Sequence, residues 1–206
     1  MRQALIAGLA VIAFALGLGG SYLWWQQVRP MPQLQRATVL PDGPRQLPVF
    51  QLQDQDGHVF SRAQLKGHWT LLFFGYTNCP DVCPLTLAEA KGFYNRVVDT
   101  PYGADTRVVF VSVDPKRDTP AQLKRYVKYF HPAFVGITGS REQLDRLTRA
   151  LGIFYAYRGE GDDYLVDHSA AMALLDANGD LRALFSAPHA ADILAVDYLA
   201  IREAAS

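Results

Sequence analysis

Two cysteines are the whole thiol content of this 206-residue chain, and they lie four positions apart in Gly75-Tyr76-Thr77-Asn78-Cys79-Pro80-Asp81-Val82-Cys83-Pro84. A proline follows each. Residues before proline are driven out of helical geometry toward extended or turn conformations. The pair is therefore expected on a turn, with Pro84 at a first helical position and Cys83 near the N-cap of a helix over residues 85–98. The positive end of such a helix favours thiolate over thiol. Two low-pKa thiolates on one turn can exchange electrons as a disulfide or hold a soft metal ion. An inert structural disulfide is the bland alternative, and thiols flanked by proline at a helix start, exposed and activated, argue against it.

The elements that must position this turn can be read along the chain. Length allows one domain of about 150–170 residues and an appendage. Lysine plus arginine (20) equal aspartate plus glutamate (20), so no basic field exists to hold nucleic acid. Two cysteines are too few for a disulfide scaffold. Between Arg2 and Arg29 there is no charge, and residues 4–25 would span roughly 33 Å as a helix against a hydrocarbon core of about 30 Å. Tyr22, Trp24 and Trp25 end that run as interfacial aromatics would. Ala13-Phe14-Ala15 resembles a signal-peptide cleavage site, but the apolar run continues past it, which favours an uncleaved anchor. Arg2 on one side, with Arg29 and Arg36 on the other, leaves orientation open by charge counting. Either reading places the thiols outside the cytoplasm. The expected organisation is an anchor over residues 1–29, a tether over 30–46 in a stretch (30–48) holding five of the twelve prolines, and a domain over 47–206.

Within the domain, residues 49–52 and 58–60 flank Asp54-Gln55-Asp56-Gly57 as a hairpin, and Ser61 caps a brief helical turn. Residues 69–76 form a continuous apolar run suited to a central strand buried on both faces. Residues 106–113 make a second such strand. Thr119-Pro120 opens an amphipathic helix through Leu123, Tyr126, Val127 and Phe130, which His131-Pro132 stops. A short strand over 134–138 follows, then a helix capped by Ser140 with Leu144, Leu147 and Leu151 at helical spacing. Strands over 169–175 and 181–185 flank the turn Asp176-Ala177-Asn178-Gly179-Asp180, and a helix over 190–202 closes the domain. The fold class is α/β, with parallel and antiparallel strands.

Strand, thiol-bearing turn and helix resemble the thioredoxin-like arrangement, although three residues rather than two separate the cysteines. The longer spacing leaves room for a metal between the sulfurs, and two thiolates seldom complete a metal site. His168, in Tyr164-Leu165-Val166-Asp167-His168-Ser169, is the strongest third candidate. In thioredoxin-like domains the loop before the hairpin strand faces the cysteine turn, usually through a cis-proline, and this chain has no proline between Phe134 and Pro188. Two thiolates and an imidazole suit copper as Cu(I) or Cu(II). Zinc accepts the same donors but normally takes four in a structural site.

Thr77-Asn78-Cys79-Pro80-Asp81-Val82-Cys83-Pro84, Val113-Asp114-Pro115-Lys116-Arg117-Asp118-Thr119-Pro120 and Val166-Asp167-His168-Ser169, in this order, resemble the three signatures of the Sco/SenC copper chaperones over about residues 45–200. The resemblance implies a thioredoxin-like fold behind an N-terminal transmembrane anchor, copper held by Cys79, Cys83 and His168, and a role in building the copper A centre of cytochrome c oxidase. It implies as partners the copper A subunit, the membrane, and other copper chaperones or thiol-disulfide reductases. The expected location is the inner membrane, single-pass, with the domain on the periplasmic side. Cys79 and Cys83 would be catalytic if the chain instead acts as a thiol-disulfide reductase, and a peroxide-reducing thiol enzyme is a weaker third reading. Asp81 and Asp167 either tune the site or are solvated loop carboxylates. Residues 114–120 most simply cap a helix, through Asp118 or Thr119. His58, His68, His131 and His189 are not assigned to metal.

Overall fold

The computed structural model describes residues 13–22, 33–159, 161 and 163–205. They divide into two compact units with the break between Gln33 and Leu34, the second running Leu34–Glu203. In the first, residues 13–22 form helix α1. Among the described residues no helix is long and apolar enough to cross a membrane. The expected anchor lies mostly outside the described residues, since its apolar run includes residues 4–12 and 23–25.

The second unit is built on an eight-stranded sheet. At its centre β4 (Trp69–Gly75) is buried along its whole length, as its unbroken apolar run predicts. Beside it β5 (Thr106–Ser112) pairs in parallel, from Trp69↔Thr106 to Gly75↔Ser112. β6 (Val135–Thr138) pairs in parallel with β5, and the hairpin of β2 (Gln51–Asp54) and β3 (Val59–Ser61) extends that side. Ser61 caps α2 (Arg62–Leu65) through a reciprocal capping box with Gln64. On the other side of β4, β9 (Met172–Leu175) pairs antiparallel, followed by β10 (Leu181–Phe185). Parallel strands with both faces covered read as near-continuous apolar runs, as β4 and residues 108–111 of β5 do.

Helix α3 (Val82–Val97) follows β4, α4 (Pro120–Phe130) follows β5 and α5 (Arg141–Leu151) follows β6. Thr119 and Ser140 cap the last two through their side chains. The closing helix α6 (Ala191–Ala204) lies close against α3, where a Cβ on Gly92 would come within 2.6 Å of Ala191 Cβ. Tyr198 of α6 meets Phe93 edge-on at 5.2 Å and shares a 2.5 Å hydrogen bond with Thr106 at the start of β5.

Three differences from the sequence reading bear on the site. Residues 34–45, read as the end of the tether, belong to the second unit: β1 (Ala37–Val39) pairs antiparallel with β10, and Arg45 bridges to Leu181. The reason is one buried side chain. Asp197, a carboxylate on the apolar face of α6, accepts from the backbone N–H groups of Gln35, Arg36 and Ala37 at 2.8–2.9 Å. Next, the strand expected over 169–175 begins only at Met172. Third, a separate two-stranded sheet precedes it, formed by β7 (Tyr155–Arg158) and β8 (Leu165–His168), with Tyr155 opposite His168. No strand was expected over residues 155–158, because Tyr155, Ala156, Tyr157 and Arg158 show no clean alternation of apolar and polar residues.

Replacing Asp197 with alanine leaves three backbone donors without their acceptor and should cost about 1–3 kcal/mol of unfolding free energy. Urea titration would measure it, and amide exchange at residues 35–37 should quicken. An unchanged midpoint with slow exchange there would contradict the clamp.

Candidate metal centre

The central strand delivers the chain to the site. β4 ends at Gly75, the loop after it closes with Cys79 N–H donating to Tyr76 O at 3.3 Å, and α3 begins at Val82. The sequence reading placed Cys83 near the N-cap of a helix starting at residue 85. The structure corrects this: Asp81 occupies the cap without a side-chain bond, and Cys83 and Pro84 are the second and third helical residues. The first four N–H groups of a helix have no intrahelical partner, so Pro84 costs no hydrogen bond there and the helix can start earlier.

That shift buries one sulfur. Cys83 is 0% exposed, whereas Cys79 remains half-buried. The expectation of two exposed thiols is corrected accordingly. Cys83 Sγ occupies the space beside Gly75, where an added Cβ would lie 2.7 Å from the sulfur and 2.9 Å from the Phe110 ring. Only a residue without a side chain allows the helix start to approach the strand end so closely.

His168 reaches this point from the other side as the last residue of β8. Its Nε2 lies 3.2 Å from Cys83 Sγ, and its Nδ1 is 3.1 Å from Ser169 O. A carbonyl oxygen can only accept, so Nδ1 donates to it, and Nε2 is the ring atom left facing the sulfurs. Edge-on contacts with Phe73 at 6.0 Å and Tyr76 at 6.3 Å fix the ring plane. The ligand atoms of Cys79, Cys83 and His168 all lie within 4.8 Å of one another, and no other such group of three occurs among the described residues. All three site residues singled out from sequence are thus brought together. Two sulfurs and a neutral imidazole suit a soft or borderline ion such as copper.

The thiols are not equivalent. The hydrogen bond from Cys83 holds the Cys79 thiol down at about 5; its own burial opposes this, while the N–H groups of Asp81 and Cys83 assist. Cys83 moves the other way: its bond to Cys79 and then its burial push it well above the usual thiol range. The expectation of two low-pKa thiolates is therefore corrected to one thiolate beside one thiol. Two negative sulfurs in one partly desolvated site repel, and the pair relieves this by keeping a proton on the buried member. Burial, and then the thiols, also raise Tyr126.

The remaining candidates stay outside. Asp81 is exposed, and Asp167, next to His168 on a strand and so pointing to the opposite face, pairs with Arg158. His131 ends α4. His58 faces Asp54 at 3.6 Å, His68 bonds Arg107, and His189 Nε2 donates to Ala170 O. What sequence reasoning missed is Asp118. Thr119 takes the cap, and Asp118 turns inward, fully buried, to accept from Thr77 N at 2.9 Å, Thr77 Oγ1 at 2.6 Å and Ser112 Oγ at 2.5 Å. Burial pushes its carboxyl up while these donors oppose the shift. Nothing in the spacing separates a helix cap from an inward carboxylate at this position.

Because Cys79 is shifted down to about 5, it is the thiolate above that pH and the thiol below it. Alkylation of the reduced, metal-free chain should therefore modify Cys79 first, at a rate that rises through about pH 5 and is level by neutrality. Peptide mapping after timed quenching would read this. Equal labelling of both cysteines with a midpoint of about 8.5, as for a free thiol, would refute the asymmetry.

Comparison with known proteins bears on the same residues. The profile of the SCO1/SenC family matches residues 41–201. A SCO2-like protein of Rickettsia felis is 37% identical over 183 residues, covering 87% of this chain and 88% of the relative. The structure of Arabidopsis thaliana ScoI with copper bound superposes with a TM-score of 0.70 at 37% identity, covering 76% of this chain and 98% of that one. The fold is also shared with BsSco, a member of the Sco family of cytochrome c oxidase assembly proteins in which a disulfide switch is identified, at a TM-score of 0.63 and 23% identity over 80% of this chain and 98% of that one. A thioredoxin-like α/β domain with two cysteines and one histidine converging at the end of its central strand, matched over most of its length, makes this chain a member of the SCO1/SenC family.

Proposed function

We propose that this chain is a membrane-tethered copper carrier that delivers copper to, or prepares the cysteines of, the copper A centre of cytochrome c oxidase. The observation that carries the reading is the convergence of Cys79 Sγ, Cys83 Sγ and His168 Nε2 within 4.8 Å. The copper-bound structure of Arabidopsis ScoI and the naming of BsSco among oxidase assembly proteins support the cargo and the destination.

The residues divide the work. Cys79, the half-exposed thiolate, meets incoming copper first. Cys83 then binds as its proton leaves, since a thiol ligand must be deprotonated. His168 offers Nε2, already oriented by the Nδ1–H bond to Ser169 O. Three donors leave coordination open, so a recipient's thiolate can join before a donor of this chain lets go. The apolar run of residues 4–25 and its terminal aromatics support a single-pass anchor, and family membership favours a domain on the periplasmic side. Residues 30–33 would then link the anchor to a domain that begins at Leu34, which confines the search for the recipient to the membrane surface.

The thiol asymmetry favours a second activity at the same atoms. Cys79 thiolate attacks a disulfide sulfur of the target and releases one target thiolate. Cys83, losing its proton, then attacks the mixed disulfide and releases the other, so the target is reduced and Cys79–Cys83 is oxidised. Copper and the disulfide compete for the same sulfurs, and His168 is needed by the first activity far more than by the second.

Titration of the reduced chain with Cu(I) and with Cu(II) should give one tight copper per chain. His168→Ala should weaken Cu(II) binding by roughly 100-fold or more, since losing only an outer hydrogen bond to a ligand already costs about 10–100-fold. Binding by the variant equal to the parent, or full copper A assembly by it in cells, would leave thiol exchange as the function.

A further inference from the structure

Between β5 and α4 runs a loop over residues 113–119 that touches both halves of the centre. Its C-terminal part reaches the cysteines. Asp118 holds Thr77, two residues before Cys79, through both the Thr77 N–H and the Thr77 hydroxyl. Gln122 of α4 adds a 2.9 Å bond to the same hydroxyl. Thr77 is thereby fixed by backbone and side chain to one buried carboxylate.

The N-terminal part reaches the histidine. Asp114, also fully buried, accepts from the Tyr164 hydroxyl at 2.5 Å and pairs with Arg117 Nε. Arg117 Nη1 donates to Tyr164 O at 2.8 Å, and its guanidinium lies 3.7 Å from the centroid of the Tyr164 ring and 5.5 Å from that of Tyr76. Tyr157 of β7 donates its hydroxyl to Val113 O at 2.6 Å. Tyr164 immediately precedes β8, whose last residue is His168, and Tyr76 meets the His168 ring edge-on. The β7–β8 ribbon is not part of the main sheet, so the ladder that fixes the cysteine strand does not fix His168. Contacts with this loop tie its outer end to the strand that neighbours β4.

We propose that residues 114–118 form a two-armed positioning bracket, Asp118 setting the cysteine turn and the Asp114–Arg117 pair setting the hairpin of His168, so that one loop fixes the distance between the sulfurs and the imidazole. The copper role of the bracket rests on the function proposed above; its geometric role does not. Arg117 is suited to its arm because its planar fork serves a carboxylate and a carbonyl together while stacking on an aromatic face. Lysine would supply the charge without that fork.

The test separates the arms by their dependence on His168. Full-length chains carrying Arg117→Gln or Asp118→Asn, each alone and combined with His168→Ala, are titrated with Cu(I) and Cu(II), with thermal unfolding recorded alongside. Arg117→Gln should weaken copper about tenfold with His168 present, within the range for a lost group behind a ligand, and have almost no effect when His168 is absent. Asp118→Asn should weaken copper by a similar factor in both backgrounds. Equal effects of Arg117→Gln in the two backgrounds would mark a merely structural residue and overturn the proposal. Without any metal, proton NMR should show the contact between the His168 ring and the Cys83 side chain in the parent and its loss in Arg117→Gln. Persistence of that contact overturns the bracket, whatever copper does. A lost contact in a chain that binds no copper would uphold the bracket and sink the copper reading instead. Should Arg117→Gln fail to fold, Arg117→Lys carries the same comparison, with the same sign and a smaller change.

Discussion

Cys83 Sγ sits against the end of the central strand in a space that exists only because residue 75 is glycine, and the rest of the centre follows from that contact. It brings the first turn of α3 onto β4 and removes one sulfur from water. A buried sulfur next to a second one cannot cheaply carry a charge, so the proton stays on Cys83 and the thiolate is Cys79, the sulfur that solvent and partners can reach. His168 completes the group from a ribbon outside the main sheet, its free nitrogen aimed inward by a bond to Ser169 O. The metal-free centre is thus already assembled, with one sulfur charged, the other protonated and the imidazole beside them.

Under the proposed function, that arrangement lets a single site serve two chemistries. A carrier must hold its ion firmly enough to travel and loosely enough to release it. Three donors with one reachable thiolate meet both needs, whereas a closed four-donor set would resemble a structural zinc site. The same reachable thiolate is what thiol-disulfide exchange requires of an attacking group. The histidine is what divides the two uses, since a lone pair at Nε2 serves a metal and does little for a disulfide.

Much of this was legible in the chain. The unbroken apolar run of β4, the Ser61, Thr119 and Ser140 caps, and the Asp-Ala-Asn-Gly-Asp turn each state their element locally, and the two cysteines and His168 could be picked out by type, spacing and resemblance. What was not legible depends on contacts distant in sequence. Asp197 reads as an ordinary polar residue of a last helix until the backbone of residues 35–37 is seen to run past it, and with that clamp the proline-rich stretch becomes sheet. Asp118 reads as a cap because capping is local and its true partner, Thr77, lies 41 positions away. The early start of α3 was hidden by Pro84, which reads as a first helical residue yet is tolerated two positions further in. The different fates of the thiols follow from that start, as it decides which sulfur is buried.

The central claim is that two sulfurs and one imidazole nitrogen of a single chain take the metal. Copper K-edge X-ray absorption of the detergent-solubilised, full-length chain, loaded with one equivalent of Cu(I) under reducing conditions, counts those donors directly. Two sulfur scatterers with a single imidazole, becoming two sulfurs alone in the His168→Ala chain, is the result expected. A first shell of three or four sulfurs, drawn from two chains, or one of nitrogen and oxygen without sulfur, would contradict it.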